Sequence, residues 1–153
     1  MTAAPSLIWD RADPFVESRV VGAADIDGLD HTNNAVYVNW CGEIAWSHSQ
    51  ALGLGLKQYQ ELDRAMAVRE AHYDYIRATR LNDELIIGTW IESWERRMVM
   101  ERRFQILCAA TGETVLRAGM TFVCIEVSTG RPKRPPKAFI EGYGPAIRDF
   151  GKD

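Results

Sequence analysis

The residues best suited to chemistry stand together in Asp25-Ile26-Asp27-Gly28-Leu29-Asp30-His31-Thr32-Asn33-Asn34-Ala35-Val36-Tyr37. Three carboxylates, one imidazole and two amides share positions 25–34. The stretch leaves a strand-like segment and runs into a helix-like one. A helix N-terminus presents unpaired backbone N–H groups and the positive end of a dipole. Such groups can hold a carbonyl oxygen and stabilise the oxyanion that forms when the carbonyl is attacked. A carboxylate beside them can act as nucleophile or activate a water. Crowded carboxylates raise one another's pKa, which moves one towards useful basicity. The same residue types also serve as caps and turn formers. Composition alone leaves these two readings level.

The elements that must position these residues are legible from periodicity. Residues 15–24 read as a strand, with Val16, Val20 and Ala24 on an apolar face and Glu17 and Arg19 on the other. Asn33 is a good N-cap. Tyr37, Trp40, Cys41, Ile44, Ala45, His48, Ala51 and Leu52 then recur at helical steps, and Gly53 and Gly55 end a helix of about residues 33–53. A short second helix is expected over 56–64. Strands follow at 65–76, 84–94, 98–109 and 115–127, with turns at Leu81-Asn82-Asp83, Glu95-Arg96-Arg97 and Thr111-Gly112-Glu113. In the third of these, Met98, Met100, Phe104, Ile106 and Cys108 share one face; Glu101, Arg103 and Gln105 share the other. Residues 139–150 suggest a loose C-terminal helix, interrupted by Gly142, Gly144 and Pro145. One strand, a long helix and four strands in antiparallel succession imply an α+β layer architecture, with the long helix covering the sheet.

Other candidates are weaker. Arg131, Lys133 and Arg134 put three cations in four positions on a proline-stiffened segment. Such a cluster suits phosphate, and it also suits a solvated loop. His48 and His72 read as structural, and no histidine pair has metal-ligand spacing. Cys41, Cys108 and Cys124 are odd in number and widely spaced, so they read as buried reduced thiols of a cytoplasmic protein. No phosphate-binding glycine loop and no Gly-x-Ser-x-Gly elbow occurs. The tryptophans Trp40, Trp46, Trp90 and Trp94 and the methionines Met98 and Met100 suit an acyl pocket, and equally a core or an interface.

The stretch from Asp25 resembles the signature of hotdog-fold thioesterases, in particular the 4-hydroxybenzoyl-CoA thioesterase type with its acyl-CoA and acyl-ACP relatives. That signature reads Asp-Thr-Asp, two free positions, Gly-His-Val-Asn-Asn, two free positions, Tyr. Asp25, Asp27, His31, Asn33, Asn34 and Tyr37 match it in identity and spacing. Glu43 falls where the family often has a helix glutamate. The run from Tyr75 to Leu85 resembles its second strand and turn, and Thr129-Gly130-Arg131-Pro132 its last strand exit. The likeness spans about residues 15–136. It implies a hotdog fold, a curved antiparallel β-sheet wrapped around a long central α-helix. One domain over 1–153 is expected, with 137–153 as an extension. Asp27 takes the catalytic carboxylate position and the Asn34 N–H the carbonyl-polarising one. His31 matches a histidine that is catalytic in some relatives only. Asn33, Tyr37 and Glu43 fall at the substrate side, and the basic segment turns towards the phosphates of CoA. Family members are dimers or tetramers, so a homodimer or homotetramer is expected. Departures are Asp30 for the signature glycine, Leu29 where acyl-ACP relatives have asparagine, and Ala78 and Asn82 for a proline and a glycine.

The resemblance implies hydrolysis of an acyl-CoA, without metal or redox cofactor. The rivals are an acyl-ACP thioesterase, an acyl-CoA hydratase or dehydratase on the same fold, and a non-catalytic acyl-binding module. The chain has 153 residues, 46% hydrophobic, with net charge −3, which favours neither nucleic acid nor an anionic membrane. No apolar run reaches the roughly 18 residues of a membrane span, and residues 1–14 do not read as a secretory signal.

Overall fold

Asn33 opens the long helix. Its Oδ1 accepts the Ala35 N–H at 3.1 Å and its carbonyl accepts the Val36 N–H at 2.9 Å. This satisfies two of the donors that a helix start leaves unpaired. The helix, α1, covers Asn34–Ala51 in the computed structural model, which describes residues 5–148. Gly53 stops it at φ 83°, a left-handed position. The other elements are β1 (Phe15–Val20), α2 (Leu56–Leu62), β2 (Arg64–Tyr75), β3 (Glu84–Glu95), β4 (Val99–Cys108), β5 (Thr114–Glu126) and α3 (Lys137–Tyr143). The strands form one sheet in the order β1-β3-β4-β5-β2. Thus β2 does not pair with β3, its successor in sequence, but closes the far edge beside β5. Asn82 (φ 70°), Arg96 (φ 51°), Arg97 (φ 57°) and Gly112 (φ 75°) supply the left-handed backbone of the three predicted turns.

By internal contact the chain divides into two compact units, one of residues 1–44, 73–89 and 104–118, the other of 45–72, 90–103 and 119–153. In the first, β1 runs antiparallel to β3, from Phe15 opposite Thr89 to Val20 opposite Glu84. Tyr37, Cys41, Ile44, Leu85, Ile87 and Phe104 are buried there. Side chains of this size contribute about 1.5–3 kcal/mol each on burial. The faces of β1 are the reverse of what apolar alternation suggests. Val16 and Val20 are 47% and 61% exposed, whereas Glu17 and Arg19 are half-buried. Arg19 reaches Glu17 and Glu43, each at 3.2 Å, so the face of β1 that also carries Phe15 is joined to α1 by an ion pair. The segment before β1 is strapped down. Trp9 lies over Gly88, where a Cβ would come within 2.6 Å of the indole. Asp10 takes the Arg117 guanidinium at 2.8 and 3.1 Å, and its N–H donates to Gln105 at 2.8 Å. Gln105, expected on an outward face, is buried for that reason.

In the second unit the helix expected over 139–150 is the shorter α3, and it is not loose; positions 149 and 150 lie outside the described residues. Phe139 and Tyr143 are buried, with Phe139 4.9 Å from Tyr59 and Tyr143 6.2 Å from Trp94, ring centre to ring centre. The Tyr143 hydroxyl bonds to Tyr59 and donates to Ser49. Arg102 of β4 points inward, and its guanidinium meets His48 Nδ1 at 2.9 Å. Of the aromatic and methionine candidates, Trp90, Trp94 and Met100 are core, while Met98 lies outside β4 and is 67% exposed.

Candidate active site

All members of the Asp25–Tyr37 stretch belong to the first unit. After β1 the chain makes a 3-10 turn, Ala23–Asp25, closed by Asp25 Oδ2, which accepts the Gly22 N–H at 2.8 Å. The Asp25 carbonyl accepts the Asn33 N–H at 2.8 Å. Ile26 and Thr32 then form an antiparallel bridge, and the Asp27 N–H donates to the His31 carbonyl at 2.9 Å. Residues 27–31 are therefore a closed turn with Gly28, Leu29 and Asp30 at its tip. Asp30 has φ 60°. That left-handed geometry explains why glycine is the signature residue there, and Asp is among the few others that tolerate it.

The half-buried Asp27 sits at the base of the turn. Its Oδ1 accepts the Leu29 N–H at 2.8 Å and, more weakly, the His31 N–H at 3.4 Å. Its Oδ2 takes no hydrogen bond among the described residues, so one carboxylate oxygen is held and the other is available. Asn34 is the first residue of α1. Its N–H likewise donates to nothing among the described residues, while its carbonyl accepts the Tyr75 hydroxyl at 3.2 Å. Asp25, by contrast, is spent on the turn that precedes the site.

The remaining candidates separate by geometry. The His31 backbone closes the turn, and its half-buried ring makes no hydrogen bond among the described residues. The Asn33 side chain is committed to the cap. Tyr37 is buried and its hydroxyl bonds to Thr79 Oγ1 at 2.5 Å. Glu43 is an exposed ion-pair partner of Arg19. Arg131, Lys133 and Arg134 lie in the second unit, all exposed. Lys133 is paired with Glu126 at 2.8 Å, and that contact, with Thr129, holds the Glu126 carboxyl below its usual range. Arg131 and Arg134 make no ion pair among the described residues.

Groups outside the site are poor catalysts. Burial pushes the Cys41 thiol up to about 12, and Cys124 is raised for the same reason. These cysteines and Cys108 are free, and a thiol raised in this way is inert. Burial, then Arg102 and Arg148, lower His48 to about 4, which keeps it neutral. His72 lies against Gly119, where a Cβ would meet its ring at 2.8 Å. Among the described residues no group of three or more His, Cys, Asp or Glu is placed to hold a metal ion. Among the described residues no helix is long and apolar enough to cross a membrane. Thr79 and Tyr75, which touch the site's framework, fall in the run from Tyr75 to Leu85 that resembles the family's second strand and turn, but that likeness assigns neither of them a role at the site.

Residues 21–142 match the thioesterase-like superfamily. Among curated proteins none matches. Several solved structures share the fold. A hypothetical protein of Staphylococcus aureus, solved in complex with CoA, is 18% identical with a TM-score of 0.79, over 88% of this chain and 86% of that one. A 1,4-dihydroxy-2-naphthoyl-CoA thioesterase from Synechocystis is 22% identical with a TM-score of 0.74, over 90% and 98%. A 12:0-ACP thioesterase from Umbellularia californica is 22% identical with a TM-score of 0.79, over 88% and 54%. The architecture is the hotdog fold that the Asp25–Tyr37 pattern implied.

Proposed function

The chain belongs to the thioesterase-like superfamily, and from that premise we propose that it hydrolyses acyl-CoA to a carboxylic acid and CoA thiol. One observation carries the reading: Asp27 keeps a free Oδ2 on a turn that leads directly into a helix whose first N–H, that of Asn34, is also free. The thioester carbonyl oxygen docks on the Asn34 N–H, which draws electrons from the carbonyl carbon. Asp27 then attacks that carbon, or takes a proton from a water that attacks it. The tetrahedral oxyanion collapses, the C–S bond breaks, and the thiolate leaves and is protonated. In the nucleophilic variant, water then cleaves the acyl-Asp27 anhydride and returns the carboxylate. His31, with its ring free, contacts the substrate beside Asp27.

Arg131 and Arg134, assisted by Lys133, take the CoA phosphates, a role their free guanidinium groups support. The protein acts as a homodimer or homotetramer. In support, β2 is an edge strand whose central residues 68–72 are exposed, Val68 among them, and such an edge readily takes a second chain. The free cysteines fit a reducing, cytoplasmic setting.

The test is thiol release from a panel of aromatic and fatty acyl-CoAs, run beside an enoyl-CoA hydration assay and an acyl-ACP arm. Thiol release that Asp27→Asn lowers by about 100-fold or more is expected. No release from any acyl-CoA, or an Asp27→Asn variant that keeps a tenth or more of the wild-type kcat, would sink the reading.

A further inference from the structure

The Asp27 turn is tied to the segment between β2 and β3 through Thr32, the bridge partner of Ile26. The Thr32 N–H donates to the Thr79 carbonyl at 2.8 Å. Its hydroxyl lies 2.7 Å from Thr79 Oγ1 and 3.3 Å from the Thr79 carbonyl. Thr79 sits between β2 and β3 and is 2% exposed. Its Oγ1 is also 2.5 Å from the hydroxyl of Tyr37, which is on the first turn of α1. Three buried hydroxyls therefore meet at Thr79. Each has one proton to give, and a single ordering satisfies all of them. Tyr37 donates to Thr79 Oγ1, Thr79 donates to Thr32 Oγ1, and Thr32 donates to the Thr79 carbonyl. Away from water such a chain is stiff, because every alternative leaves a buried group unpaired.

The two ends of this chain are the two halves of the proposed site. Thr32 belongs to the turn that carries Asp27, and Tyr37 lies one helical turn beyond the Asn34 N–H. We infer that Thr79 is a positioning residue whose hydroxyl clamps the Asp27 turn to the start of α1 and so fixes the carboxylate relative to the amide. This rests on the Asp27–Asn34 reading above. Thr79 touches no substrate. It acts through Thr32 and Tyr37.

The experiment compares Thr79→Val and Thr79→Ser in steady-state thiol release, far below each variant's Tm, with Asp27→Asn in parallel. Valine keeps the shape and removes the hydroxyl; serine restores it. A misplacement of about 1 Å at a reacting group costs about 100-fold. We therefore expect Thr79→Val to lower kcat about 10- to 100-fold with KM nearly unchanged, and Thr79→Ser to recover most of the loss. Hydrogen exchange at the Asp27 and Asn33 amides should quicken in Thr79→Val. A merely structural Thr79 would lower Tm and leave kcat alone, and that result overturns the inference. If Thr79→Val does not fold, Thr32→Val is measured instead. It keeps the backbone bond and the Thr79–Tyr37 contact, and an unchanged kcat there is equally fatal. Wild-type activity in Asp27→Asn is a different failure: it removes the reaction reading, and with it the carboxylate to be positioned.

Discussion

Replacing Asp27 with Asn separates chemistry from structure, because the two effects differ greatly in size. The amide has the shape of the carboxylate, and its oxygen accepts the same Leu29 and His31 N–H groups that Oδ1 accepts at 2.8 and 3.4 Å. The turn loses only the charge on the acceptor. Bonds to charged groups contribute about 1.5–3 kcal/mol and neutral ones about 0.5–1.5, so the variant is destabilised by about 1 kcal/mol. For a chain of this size that is a fall in Tm of about 2–4 °C. The amide, however, neither attacks a thioester nor accepts a proton from water. Loss of a base or nucleophile costs about 100- to 10,000-fold in kcat, or about 3–5 kcal/mol in the barrier. Thermal melting and thiol release on one preparation measure both. Asp25→Asn is the contrast: Asp25 only holds the Gly22 N–H, so kcat should stay within about fivefold. An Asp27→Asn enzyme that keeps a tenth or more of the wild-type kcat would refute the reasoning. So would one that melts 10 °C lower, because the lost activity would then be lost structure.

Other outcomes follow from the packing. The His48 pKa near 4 against an ordinary 6.5 means that the unfolded chain binds a proton between those values and the folded chain does not. Stability is then complete above pH 6.5 and is lost as pH falls towards 4; for a ring only half-buried the loss is about 1–2 kcal/mol. Urea midpoints of His48→Gln should fall less steeply across that window, and an identical slope would contradict the assignment. Gly88→Ala puts a Cβ 2.6 Å from the Trp9 indole, so the strap must lift, at about 1–3 kcal/mol. Melting and Trp fluorescence read this, and an unaltered Tm would show the strap to be unimportant. Asp30 has φ 60°, so Asp30→Gly should hold or raise stability, while β-branched Asp30→Val should lose about 1–2 kcal/mol; equal melting of the two would contradict the strained turn.

What was legible in the sequence follows the range of the forces involved. The N-cap of α1, the turns at Asn82 and Gly112 and the run of strands rest on local backbone preference, and periodicity finds them. The Asp25–Tyr37 pattern placed Asp27 on a turn before a helix, which is where it stands. It did not show that Asp25 is consumed by the Gly22 N–H. The faces of β1 were misread because alternation ranks side chains by polarity alone. Arg19 can bury its stem when Glu17 and Glu43 take its charge, and Val16 and Val20 then face outward. Arg102 of β4 is illegible for a related reason: its inward position makes sense only with His48 opposite. Thr79 is the clearest case. A threonine between two strands has no periodicity, the likeness over 75–85 assigns it no role, and its partners are 47 and 42 residues away. The pattern also offers valine where this chain has Thr32, so nothing there announced a hydroxyl. Reacting groups are few in type and cluster in sequence when one turn carries them, whereas the groups that hold them rigid come from wherever the fold brings a donor to an acceptor. A pattern can therefore name Asp27 and Asn34 without naming what keeps them in register, and that part of the site becomes readable only from the hydrogen bonds themselves.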